Sequence, residues 1–370
     1  MANYQLPKFI LLAALLLLGL FAAPSFAATK KKAPAKKPAT KSVSKPVAKR
    51  TPKAPEPPEP PAAPLAPGEL PLAARAALSL DLQTGKVLYE KNADATEFPA
   101  SSTKILTALL VIEAGNLDQI VTVQPEDTKV EPSALEMKPG ETYTRRDLLF
   151  ALLLKSANDV AMALARDNAG SVAAFADKMN QRAAALGAKN SHFVNPHGLH
   201  NLQHFTTARD LALIARTAMQ NPLFRTIVAT PDAMVPKGGE MVKVHNHNRL
   251  LGMMVGCNGV KTGYTVPAQQ VLVSSAVREG REVVSVVLHT NKPGIWEDSK
   301  LLLMDGFIKL GLNIPPAELP AALQAPTAAP GTPAPGTPPA TTPPAPAAAA
   351  VPAPTRPIAA EGTSSIVPAN

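Results

Sequence analysis

Pro99-Ala100-Ser101-Ser102-Thr103-Lys104-Ile105-Leu106-Thr107-Ala108-Leu109-Leu110-Val111-Ile112 sets a polar turn in front of an apolar run that continues to Ala114. The run is long enough for a buried helix, and the polar turn stands where that helix begins. Residues three apart on a helix share a face, so Ser101 Oγ and Lys104 Nζ are expected to meet on its first turn. A serine hydroxyl is a poor nucleophile until a base takes its proton. Lysine serves as that base only when burial and nearby cations lower its pKa. A helix start also aims backbone N–H groups at a developing oxyanion. Alone the S-x-x-K spacing is weak, because a capping serine beside a solvated lysine produces it equally well.

Outward from this turn the pattern is of strands at both ends and helices between. Residues 76–82 and 86–90 flank Gln83-Thr84-Gly85 and read as a β-hairpin. Residues 271–277 and 282–289 flank Arg278-Glu279-Gly280-Arg281 and read as a second one. Thr144 with Asp147 resembles a capping box that opens the run 148–154. Ser171 is placed to cap a helix over 172–186, which Gly187 stops. Residues 207–220 form another amphipathic helix, and 296–310 a last one before Gly311. The expected plan is α+β: an antiparallel sheet flanked by helices, with a helical insert.

Proline bounds the folded part. Of the 40 prolines, 27 fall within residues 30–68 and 315–370. The intervening stretch 72–314 is long enough for one large core, with roughly 70–75% of the unfolded chain's surface buried. Ahead of it, Lys8 precedes an apolar run over residues 9–23, and Pro24-Ser25-Phe26-Ala27-Ala28 follows. This reads as a secretory signal peptide over residues 1–27, and the run is short of the ~20 residues that span a bilayer. An exported protein of the periplasm or cell envelope is expected, soluble or tethered by an uncleaved signal segment. Residues 28–71, rich in Lys, Pro and Ala, read as a disordered linker, and 315–370, rich in Pro, Ala and Thr, as a disordered tail. The single Cys257 leaves no internal disulfide framework and no cysteine-rich zinc site.

The net charge of +9 suggests nucleic acid until it is located. Residues 30–53 alone hold ten Lys and Arg, whereas from residue 60 onward basic and acidic residues balance at 26 each. No nucleic-acid face is therefore expected on the core. No obligate protein partner is inferred either.

Two further triplets accompany the first. Ser156-Ala157-Asn158 follows the apolar run 148–154, where a helix would end, and Lys261-Thr262-Gly263 lies just before the Val271 strand. The ordered set S-x-x-K, S-x-N, K-T-G marks β-lactamases and penicillin-binding proteins. On these motifs residues 72–314 resemble the low-molecular-mass penicillin-binding proteins, the serine D-alanyl-D-alanine carboxypeptidases of peptidase family S11. The stretches Met137-Lys138-Pro139-Gly140-Glu141, Asn195-Pro196-His197-Gly198-Leu199, Thr207-Ala208-Arg209-Asp210 and Asn246-His247-Asn248-Arg249-Leu250-Leu251 add to the likeness.

The resemblance implies the penicillin-binding transpeptidase and β-lactamase-like fold. It also implies Ser101 as acyl-ester nucleophile and Lys104 as its base, with Ser156 and Asn158 passing protons and holding the substrate amide. Lys261 and Thr262 would meet the terminal carboxylate beside Gly263, and the N–H groups of Ser101 and Tyr264 would form the oxyanion hole. It implies peptidoglycan stem peptides ending in D-Ala-D-Ala as substrate, β-lactams as covalent inhibitors, and no cofactor. Endopeptidase cleavage of peptidoglycan cross-links by the same trio is the alternative. Where the family often has alanine-glycine five residues after the K-T-G glycine, this chain has Ala268-Gln269. Where some relatives have a carboxylate-binding arginine, it has His247, with Arg249 nearby.

Other classes fit less well. A class A β-lactamase needs an E-x-x-L-N glutamate between the second and third motifs, and the only glutamate between Asn158 and Lys261 is Glu240. An inactive envelope-binding protein would not need the complete trio. His192, His197, His200 and His204 lack the glutamate of H-E-x-x-H, and Gly198 and Asn201 argue for a loop, so no metal site is expected. His245 and His247 are not expected to converge.

Overall fold

The computed structural model describes residues 68–324. The signal peptide and most of the linker and tail expected from the sequence lie outside the described residues. Two hairpins anchor the fold. Strands β1 (Ala76–Asp81) and β2 (Val87–Lys91) form the first, and β8 (Gln269–Arg278) and β9 (Arg281–Thr290) the second. With β7 (Cys257–Thr265) they make a five-stranded sheet of order β2-β1-β9-β8-β7, antiparallel at every pairing. The first and last strands in sequence, β1 and β9, lie side by side near its middle.

Between β2 and β7 runs the helical insert. It comprises α1 (Lys104–Glu113), α2 (Arg145–Phe150), α3 (Asn158–Ala169), α4 (Val172–Ala185), α5 (Ala208–Ala218), α6 (Pro222–Ala229) and the short α7 (Leu250–Met253). Two small hairpins join it: β3 (Ile120–Thr122) with β4 (Thr142–Thr144), and β5 (Asp232–Lys237) with β6 (Glu240–His245). The caps expected at Thr144 and Ser171 are present, and Thr207 supplies a third that was not anticipated. Thr144 accepts from the Asp147 N–H, Ser171 from Ala174 and Thr207 from Asp210.

One face of the sheet packs on the insert and the other on α8 (Gly294–Lys309), so β8 and β9 are buried on both faces. Their near-continuous apolar runs follow from that sandwiching. The larger core joins β1, β8 and β9 to α1, α3 and α5, and a second core lies between the sheet and α8.

The folded body exceeds the expected limits of 72 and 314 at both ends. Leu70 is buried, and its N–H donates to Tyr89 Oη at 3.3 Å. Beyond 314, Leu319 and Leu323 pack beneath α8 and Glu318 pairs with Arg278. The prolines there, which read as tail, open two short 3-10 turns, Pro316–Glu318 and Ala321–Leu323. The Ala268-Gln269 departure is absorbed locally. Gln269 adopts φ +53°, the left-handed conformation that glycine favours, and its Nε2 donates to the Val266 carbonyl.

Candidate active site

The three triplets come together between the insert and the β7 edge of the sheet. Ser101 sits on a 3-10 turn, Ala100–Thr103, that runs straight into α1. Lys104, first residue of α1, is fully buried. Its Nζ lies 3.1 Å from Ser101 Oγ, and it donates to Asn158 Oδ1 and to the His197 carbonyl, each at 2.7 Å. Desolvation drives its pKa well below the ordinary lysine value, and the nearby Lys261 charge pushes the same way against a weaker pull from Asp159.

These contacts favour one proton arrangement. A neutral amine has two hydrogens and one lone pair. Two obligate acceptors, Asn158 Oδ1 and the His197 carbonyl, take the hydrogens. The lone pair is left for the remaining neighbour, the Ser101 hydroxyl.

Ser156 reaches the site through an irregular backbone. A π-turn over Ala151–Lys155 ends α2, and Ser156 itself has φ +63°, ψ +32°. Asn158 then starts α3, with its N–H bonded to the Ser133 carbonyl at 2.7 Å. Asp159 braces this join: its buried carboxylate accepts from the N–H groups of Leu135, Glu136 and Met137. Ser133 also lines the cleft, and no signal in the sequence marked it.

Lys261, Thr262, Gly263 and Tyr264 lie on β7, whose outer edge has no partner strand among the described residues. A Cβ on Gly263 would fall 2.8 Å from the Ser101 nitrogen, so only glycine lets the strand pass this close to the turn. Lys261 is 2% exposed, and its Nζ donates to the Thr262 carbonyl at 2.9 Å. Burial lowers its pKa to about 7. Among the described residues no carboxylate pairs with it.

The cleft holds about 560 Å³, and among the described residues no acidic side chain lines it. Ser101, Ser156, Thr262 and Tyr264 form one part, and Arg249, Gln270, Lys292 and Trp296 extend it past β7. His245 and His247, expected not to converge, both line it: His245 ends β6 and His247 lies in the bend that follows. His245 pairs with Asp232 at 2.7 Å. His247 is partly open to the cleft. Desolvation, then the charges of Lys261, His245 and Lys155, lower its pKa to about 4, so at neutral pH it is uncharged. The N-x-N pattern around it is structural: Asn246 Nδ2 donates to the Val228 and Thr230 carbonyls, and Asn248 Nδ2 to Gly259 on β7.

Three of the four histidines of the 192–204 loop bond to protein groups, and the exposed fourth, His200, makes a ring contact. His192 Nδ1 meets the Gln203 carbonyl, His197 Nδ1 accepts from Leu199, His204 accepts from Val194, and His200 lies edge-on to Phe98. Among the described residues no cluster of metal-ligating side chains is found. Glu240 is exposed on β6 and lines no part of the cleft.

The model of the D-alanyl-D-alanine carboxypeptidase family, peptidase family S11, matches residues 62–292. The chain belongs to this family. Within it, the chain is 37% identical over 240 residues to D-alanyl-D-alanine carboxypeptidase DacB2 of Mycobacterium tuberculosis, covering 63% of this chain and 82% of that one. It is 34% identical to DacF of Bacillus subtilis over 231 residues, covering 61% of this chain but 59% of the longer relative. A D-alanyl-D-alanine endopeptidase of Pseudomonas aeruginosa is 34% identical over 222 residues, 59% of this chain and 71% of that one. The crystal structure of the Streptomyces K15 DD-transpeptidase superposes with a TM-score of 0.61 at 35% identity, covering 64% of this chain and 98% of that one. The α+β architecture is that of these penicillin-binding enzymes.

Proposed function

We propose that the protein is a serine-type D-alanyl-D-alanine carboxypeptidase, exported to the periplasm or cell envelope, which removes the terminal D-alanine from peptidoglycan stem peptides. One observation carries this reading: the dehydrated Lys104 Nζ stands 3.1 Å from Ser101 Oγ, with its hydrogens committed elsewhere. Ser101 Oγ attacks the carbonyl of the penultimate residue while its proton passes to Lys104. The N–H groups of Ser101 and Tyr264 receive the oxyanion. The intermediate collapses as the proton moves, by way of Ser156, to the departing D-alanine amine. Water then attacks the ester on Ser101, giving up its proton to the restored base, and the shortened peptide leaves.

Lys261 and Thr262, assisted by Arg249, hold the terminal carboxylate. The absence of acidic side chains from the cleft lining supports an anionic substrate. β-Lactams would acylate the same serine. No glutamate is placed to drive water onto that ester, so the adduct should be long-lived. Endopeptidase cleavage of cross-links is the second reading, favoured by the similarity to a protein of that name.

The test is labelling by fluorescent penicillin together with D-alanine release from a defined stem peptide. The protein should do both, Ser101→Ala should do neither, and digestion should place the adduct on Ser101. An adduct on Ser102 or Ser156 would overturn the assignment. Product analysis on cross-linked muropeptides separates the two readings.

A further inference from the structure

His204 is buried, titratable and without a task in the chemistry above. Its Nδ1 accepts from the Val194 N–H at 3.1 Å, so Nδ1 bears a lone pair and the proton of the neutral ring sits on Nε2. Nε2 lies 2.9 Å from Thr103 Oγ1 and must donate to it. Thr103 Oγ1 in turn donates to the Ala100 carbonyl at 2.8 Å. The relay therefore has one direction, from Val194 through His204 and Thr103 to the Ala100 carbonyl. Burial, then the charges of His192 and Lys104, lowers the ring's pKa to about 3 and keeps it neutral. Phe193 packs edge-on against it, with ring centroids 5.5 Å apart.

The far end of the relay needs holding. Ala100 has φ +47°, a sparsely populated conformation for a residue with a Cβ. The same carbonyl is pressed by Gly198, where an added Cβ would stand 1.8 Å from it. The Ala100 carbonyl and the Ser101 N–H belong to one planar peptide unit and point in opposite directions. Whatever fixes that carbonyl also aims the Ser101 N–H.

We infer that His204 is a positioning residue for acyl transfer: acting through Thr103 on the Ala100 carbonyl, it sets the direction of the Ser101 N–H and the place of the Ser101 hydroxyl. This rests on the acyl-transfer reading of Ser101. A group that aims an oxyanion donor acts in the transition state, so its loss slows acylation and leaves initial binding alone.

The test uses fluorescent penicillin on the full chain, separating the dissociation constant of the initial complex from the acylation rate constant, alongside the thermal midpoint. Thr103→Val removes both hydroxyl bonds at constant shape, and Thr103→Ser restores them. His204→Gln keeps a donor near Nε2, and His204→Asn lacks one. Thr103→Val and His204→Asn should acylate about 10- to 100-fold more slowly, the range for a misaimed donor or a small displacement of the nucleophile. The initial dissociation constant should stay within about threefold, and Thr103→Ser and His204→Gln should recover most of the rate. A native acylation rate in folded Thr103→Val, with or without a lower midpoint, would overturn the inference. So would a loss confined to initial binding. If Thr103→Val does not fold, equal rates for His204→Asn and His204→Gln would overturn it. Failure of the native chain to be labelled at all would instead refute the acyl-transfer reading.

Discussion

Lys261→Ala is the sharpest probe of substrate anchoring. Lys261 is 2% exposed, carries a pKa lowered to about 7, and touches no carboxylate. A fixed cation in a nearly dry site is wasted unless an anion arrives. Losing one charge-assisted hydrogen bond costs ~1.5–3 kcal/mol, or about 10- to 150-fold in kcat/KM. Peptides ending in a free D-Ala-D-Ala carboxylate should lose at least that much, and amidated peptides much less. Part of the loss is shared by both, because the Lys261 charge also helps to lower the Lys104 pKa. That shared part should vanish at high pH, where Lys104 is neutral in either protein. The pH profile adds a second signature. In the native enzyme, kcat/KM on free-carboxylate peptides should fall as pH rises through about 7 and free Lys261 loses its proton. The amidated substrate should lack that limb. Equal losses on both substrates at every pH would refute the reasoning and make Lys261 part of the proton-transfer machinery.

Lys261→Met should raise stability while lowering kcat/KM on free-carboxylate peptides as Lys261→Ala does. The native pKa of about 7 lies below the ordinary 10.5, so the unfolded chain holds the extra proton and the native state is penalised. That penalty, on the order of a few kcal/mol, is full below pH 7 and fades toward 10.5, so the variant's advantage in urea unfolding should shrink over that window. Arg249→Ala should lower kcat/KM on free-carboxylate peptides several-fold in a steady-state assay, while His247→Ala, removing an uncharged ring at neutral pH, should change it little. Gly198→Ala should destabilise by about 2–4 kcal/mol in denaturant titration, combining overpacking with left-handed strain at φ +86°. A chain of residues 68–324 should unfold cooperatively, and one ending at 314 should melt several degrees lower, having lost Leu319, Leu323 and the Glu318–Arg278 pair.

The hairpins and most helices were legible because their signals are local. Gly85 and Gly280 mark turns between apolar runs, and Thr144 and Ser171 carry caps within a few residues of what they cap. The spacing of Ser101 and Lys104 also told its own story, since one turn of chain brings them together. What stayed hidden depends on distant chain. Nothing near Ser156 announces its left-handed backbone, which follows from a π-turn squeezed between α2 and α3. Ser133 reaches the cleft only because Asn158 and Asp159 tie its loop down. His204 read as one of a crowd of loop histidines, and its bond to Thr103 crosses 101 residues. The limits at 72 and 314 erred because Leu70, Leu319 and Leu323 are single apolar residues in proline-rich surroundings, without a period to betray their burial.

The strand order has a consequence for how the molecule comes into being. As the chain emerges from its amino end, β1 and β2 appear first, but one side of β1 can be completed only by β9, about two hundred residues later. A lone two-stranded ribbon is marginal in water, and its open edge is a template for wrong pairings. The insert is made in the interval, and α5, which packs on both β1 and β9, has only half its seat until β9 closes against β1. Maturation should therefore be all-or-none and late. A chain that ends before β9, at residue 280, should stay protease-sensitive, whereas the full chain refolding from urea should turn resistant in a single step.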